Sequence, residues 1–158
     1  MVWRPTPAPC RDGSTANRPR YAEEAFGDGC AARGMEVRRI PAGDWTERSG
    51  AASIERTELR TATAVFAAND AMDIGALDAL ARAGVRVPED IAVLGADDIP
   101  AAAFVTPSLS SVAHDLDEQG RHAARTLLRT LREDPAPISD PTFGVSIRRR
   151  ATTTARGR

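Results

Sequence analysis

Between Thr63 and Asp98 the chain reads as strand, helix, strand, and this constrains the fold more than anything else in it. Residues 64–68, AVFAA, are apolar without alternation, which fits a strand covered on both faces. A helix is expected over 71–83. Met72, Ala76, Ala79, Leu80 and Ala83 share one face, and Asp78 and Arg82 stand at i,i+4 on the other. Gly84 and Pro88 end it, and residues 91–94, IAVL, supply a second buried strand. Two strands joined through a helix must run parallel, with a right-handed crossover. The fold class is therefore α/β, a parallel sheet flanked by helices.

The remaining elements are weaker. A helix is expected within 20–33, closed by Gly34, followed by a short strand carrying Val37 and Ile40. In GDWTERSG, Asp44 and Glu47 have capping-box spacing, so a helix is expected from there to about Leu59, with Trp45 in its first turn. A long helix is expected over 115–132, with Leu116, Gly120, Ala123, Ala124, Leu127, Leu128 and Leu131 in one stripe and arginines opposite. Residues 143–148, FGVSIR, alternate as a half-exposed edge strand does. Pro5, Pro7 and Pro9 make 1–13 an arm that cannot be a central strand, and 151–158 reads as a mobile tail.

Composition narrows the function classes. Of 158 residues, 27% are charged and the net charge is −1, so no global basic field points to nucleic acid. All 21 basic residues are arginine, which reads as genome composition and discounts arginine clusters as phosphate sites. Cys10 and Cys30 form neither a metal clip nor a disulfide framework, and His114 and His122 lack zinc spacing, so no metal and no cofactor is expected. No apolar run approaches membrane length and no export signal is visible, so no membrane partner and a cytoplasmic location are expected. No nucleophile elbow, P-loop, dinucleotide fingerprint or zinc-protease motif occurs, and no enzyme is expected.

Ligands of open parallel sheets sit beyond the carboxyl ends of the strands. Asn69-Asp70 follows the first strand there and Asp97-Asp98 the second. Asn69 both donates and accepts, Asp97 can take two neighbouring hydroxyls, and Trp45 can offer a flat apolar face, a set suited to a polyhydroxylated molecule. The plainer readings are a helix cap for Asn69-Asp70, a turn before Pro100 for Asp97-Asp98, and an edge cover for Trp45.

These residues carry a family resemblance. FAAND, then GALDAL, AGVRVPEDIAVLG and DDIP, resembles the effector-binding half of the LacI/GalR transcriptional regulators, most closely from Thr61 to Val112. The resemblance implies a periplasmic-binding-protein-like type I subdomain, present incompletely over 14–150, which senses a sugar or nucleoside-like effector in a repressor. It places Asn69, Asp97, Trp45 and His114 at the effector, His114 at the hinge, and Arg20 near an arginine whose surrounding pattern is broken here. It implies a homodimer formed near Met72–Leu80 and Ala101–Phe104, and effector-driven closure of two subdomains. The DNA-reading headpiece and the other subdomain have no counterpart in this sequence, so DNA is a partner only of an intact family member. The helix over 115–132 would then leave Leu116, Leu127, Leu128 and Leu131 uncovered. A transport-system sugar-binding protein of the same fold, and a small enzyme using Asp70, Asp97 or Asp98, are the rival readings.

Overall fold

The computed structural model describes residues 2–3, 26–40, 43–56, 62–132 and 143–154. Six strands form one sheet. In chain order they are β1 (Val2–Trp3), β2 (Arg39–Ile40), β3 (Ala64–Phe66), β4 (Ala92–Ala96), β5 (Ser110–His114) and β6 (Val145–Arg148). The spatial order is β2-β1-β3-β4-β5-β6, with every pair parallel except β5 and β6. The helices are α1 (described over 26–31), α2 (Glu47–Glu55), α3 (Asp70–Arg82) and α4 (Leu116–Leu131). The α/β fold class stands. Among the described residues, no helix is long and apolar enough to cross a membrane.

The β3–α3–β4 unit lies within two residues of its expected bounds. Val65 pairs with Val93 in register, and both are buried. Ala76, Leu77, Ala79 and Leu80 of α3 pack on them with Ile54, Ile91 and Leu109. Met72 closes a smaller cluster with Ile40 and Ala67. Gly84, at φ +71, follows α3 in the left-handed conformation open to glycine. Arg82 bridges Asp78 at 3.0 Å and Glu55 of α2 at 2.7 Å.

The crossing of α2 over α3 is made by two glycines. A Cβ at Gly50 would lie 2.0 Å from the Met72 carbonyl oxygen, and one at Gly75 would lie 1.7 Å from that of Glu47. Backbone therefore meets backbone, and neither site has room for a side chain.

Several expectations are corrected. Val2–Trp3 is no free arm: it pairs in parallel with Arg39–Ile40 and, through Val2, with Phe66. Val2 and Trp3 precede Pro5, the first residue without an amide donor, and the rest of the expected arm lies outside the described residues. The mobile tail is corrected over 151–154. Ala151–Thr153 is a 3-10 turn, and Thr152 is fully buried, with its Oγ1 accepting from the Ser110 amide and its own amide donating to the Ser108 carbonyl. α2 begins at Glu47 rather than around Asp44, because the Thr46 side chain accepts from the Ser49 amide and Asp44 accepts from Thr46 instead. Strand β5 had no counterpart in the sequence reading. Met72, Leu77 and Leu80, expected near a dimer interface, are buried in the chain's own core, while Phe104 is 86% exposed.

α4 matches its expected span, yet none of its residues is buried. Leu116, Leu127, Leu128 and Leu131 are all more than half exposed, as the uncovered stripe required.

Candidate functional site

The carboxyl ends of β3, β4 and β5 lie side by side, and the candidate residues hang from them in two groups. Asn69 caps α3: its Oδ1 accepts from the Met72 amide at 3.0 Å, and its Nδ2 donates to the Trp45 carbonyl at 3.1 Å. The helix-cap reading of Asn69 thus holds, and the same side chain ties Trp45 to the end of β3. Trp45 is 43% exposed.

The second group is Asp97 and His114, which follow and close β4 and β5. The Asp97 amide donates to the Val112 carbonyl at 2.9 Å, and the residue itself is exposed. Both residues line a cleft of about 500 Å³ that also takes in Asp98, Asp115, Ser146 and Arg148. Trp45 and Asn69 do not line it. Arg20 lies outside the described residues.

The backbone at these positions is unusual. Trp45 (φ 70), Asp97 (φ 101) and Asp98 (φ 52) are the non-glycine residues of positive φ among the described residues. Aspartate enters this region at modest cost; for a bulky tryptophan it is a true outlier. All three belong to the candidate set or adjoin it, and such strain persists only where the surroundings enforce it.

Those surroundings were not read from the sequence. Asp70, fully buried at the start of α3, accepts from the Ile99 amide at 2.8 Å and from the Ser111 hydroxyl at 2.6 Å. Ser111 Oγ in turn accepts from the Asp98 amide at 3.0 Å. Asp98 pairs with Arg150 at 2.7 Å and Arg148 at 3.4 Å. The turn carrying Asp97 is thereby anchored to α3, β5 and the segment after β6. Gly95 makes this possible, since a Cβ there would lie 2.1 Å from Asp70 Oδ1. The bonds to Ser111 and Ile99 hold the Asp70 carboxyl's charge in place, but burial outweighs them and raises its pKa above the ordinary value.

Asp73, one turn along α3, is also fully buried. Neither of its oxygens has a hydrogen-bond partner among the described residues. Burial, and secondarily the Asp70 charge, push its carboxyl well above the usual range, with the Ala67 backbone opposing them only weakly. Nothing in the sequence distinguished Asp73 from an exposed first-turn acid. Among the described residues, no cluster of histidine, cysteine and acid side chains could hold a metal ion.

Comparison with known proteins completes the description. A family described as the periplasmic binding protein-like domain matches residues 8–153. The transcriptional regulator MalR of Streptomyces coelicolor is 36% identical over 115 residues, which cover 73% of this chain and 33% of that protein. The crystal structure of the Escherichia coli transcriptional repressor AscG superposes with a TM-score of 0.78 at 30% identity, over 98% of this chain and 55% of that one. A LacI family regulator from Arthrobacter, solved as a complex with lactose, gives 0.77 at 30% identity over 97% and 56%. The chain thus spans about a third of the MalR length and about half of these two structures.

Proposed function

The chain belongs to the periplasmic binding protein-like domain family, in the branch of the LacI-type regulators, and from that premise we propose that it is the effector-recognising portion of a LacI-type transcriptional repressor. Its ligand is a sugar or a similarly hydroxylated molecule, held between the Trp45 face and the polar groups of Asn69, Asp97 and His114. In the intact regulator, effector closure would bias DNA binding through parts of the protein outside this chain. It carries no catalytic role.

One observation carries this reading. The strained backbone positions coincide with residues at the strand ends where such a fold takes its ligand. Asp97, at φ 101, directly precedes Asp98 and Ile99, whose amides are held by Ser111 and Asp70, so the turn that carries its carboxylate is anchored to the core. The lactose complex of the Arthrobacter regulator supports the ligand class.

The test is a thermal-shift and calorimetric screen of the chain against lactose, cellobiose, ribose and nucleosides. A hit should lose about tenfold or more in affinity on Asp97→Ala, the loss of one charge-assisted hydrogen-bond pair. An unchanged affinity would remove Asp97 from the site.

A further inference from the structure

Asp70 and Asp73 stand one turn apart on α3, both fully buried, and both reach Gly95 of β4. A Cβ there would lie 2.1 Å from Asp70 Oδ1 and 3.2 Å from Asp73 Oδ2. Two carboxyl groups that meet against one backbone atom, away from water, share a proton more readily than they carry two charges.

The hydrogen bonds decide which of them keeps its charge. Asp70 accepts on both oxygens, from the Ile99 amide at 2.8 Å and the Ser111 hydroxyl at 2.6 Å. A proton on Asp70 would face the Ile99 amide, which cannot accept, or would turn the Ser111 hydroxyl away from its acceptor. Asp73 makes no such demand, because neither of its oxygens has a hydrogen-bond partner among the described residues. The proton of the pair therefore belongs on Asp73.

The anchor it protects is the 97–99 turn. The Ile99 amide ends on Asp70, and the Asp98 amide ends at 3.0 Å on the Ser111 oxygen that Asp70 orients. The surrounding elements offer Asp73 no counter-charge. Among the described residues, β3 gives backbone at Ala67 and β5 gives Ser111. β4 leads into Asp97 and Asp98, and Asp98 is paired with Arg148 and Arg150 at 3.4 and 2.7 Å. Glu47, on α2, is exposed.

We propose that Asp73 is a proton-holding positioning residue for the 97–99 turn: its neutral carboxyl leaves Asp70 as the ionised anchor, and loss of that proton to solvent as pH rises loosens the turn. A second charge beside Asp70 either draws a proton onto Asp70 or drives the two carboxylates apart, and both weaken the bonds to Ile99 and Ser111. The burial of Asp73 and the neighbouring Asp70 charge place this event above the ordinary carboxylate range. The inference does not depend on the proposed function, because the turn itself is the readout.

Nuclear magnetic resonance of the labelled full chain tests it, following carboxyl carbon shifts and amide protection factors between about pH 4 and pH 8. The pair should titrate in two steps, with Asp73 ionising in the upper one while Asp70 stays ionised. Protection at the Asp98 and Ile99 amides should fall by about tenfold across that step, the loss expected for one charge-assisted hydrogen bond. The Val93 amide, in the core of β4, should keep its protection. Asp73→Asn, which stays neutral, should hold the turn protected at every pH; a merely structural role would instead lower protection throughout. Ionisation of Asp73 in the ordinary range, a proton on Asp70 in the upper step, turn amides that ignore the titration, or a pH response that survives in Asp73→Asn would each overturn the proposal.

Discussion

Asp73 offers the sharpest test of the interior. Its carboxyl is fully buried and, among the described residues, neither oxygen has a hydrogen-bond partner, so it should cost the fold stability rather than add to it. An unsatisfied buried polar group costs about 1–3 kcal/mol. Asp73→Ala removes that cost and leaves a void of roughly one carboxyl group, worth about 0.5 kcal/mol by the cavity relation. The net expectation is stabilisation of about 1–2 kcal/mol near neutral pH, or roughly 2–8 °C in Tm for a chain of this size. The pH dependence has a definite sign. The folded pKa is raised well above 3.8 by burial, so the unfolded chain ionises first and the folded state is penalised progressively as pH rises from 3.8 toward the folded value. Each unit of that rise corresponds to about 1.4 kcal/mol. The advantage of Asp73→Ala should therefore be smallest near pH 4 and grow with pH. Asp73→Asn keeps the polar atoms and removes only the ionisation, so it should flatten the profile while recovering less stability. Urea or thermal melts from pH 4 to 8 measure all three proteins. A destabilised Asp73→Ala, or a gap that narrows as pH rises, would refute the reasoning.

Other substitutions probe the packing and the docked C-terminal segment. Gly75→Ala places a methyl group 1.7 Å from the Glu47 carbonyl oxygen, which must force α2 and α3 apart; a loss of about 1–3 kcal/mol or more is expected in urea melts, and a neutral result would contradict the backbone contact. Thr152→Val keeps the volume but strands the Ser110 amide, whose acceptor is Thr152 Oγ1 at 2.8 Å. It should cost about 1–3 kcal/mol, and proton exchange at the Ser110 amide should quicken.

The sequence made the β3–α3–β4 unit legible because its signals are local: an apolar run, an asparagine cap, a 3.6-residue period and a glycine stop. The polar strand ends were legible for the same reason, since Asn69 and Asp97 follow their strands directly. Strand β5 was hidden because Ser110 and Ser111 are fully buried yet polar. Their hydroxyls are satisfied by Asp70, Arg150 and Thr153, some 40 residues away in sequence, and by the Asp98 amide. The same distance hid the docking of Thr152 and the interior placement of Asp70 and Asp73, which by pattern alone resemble any acidic first turn. The conformation of Trp45 was unreadable too, because no rule of composition places a tryptophan at φ 70.

The glycine crossing of α2 and α3 has a mechanical meaning. Side chains can absorb a displacement by changing rotamer, but main chain pressed on main chain at Gly50 and Gly75 has nothing to rearrange. The two helices must shift as one lever arm. Trp45 sits at the root of one and Asn69 at the root of the other, tied by their own hydrogen bond. A force applied to either residue is thus delivered to both helices together, without slack.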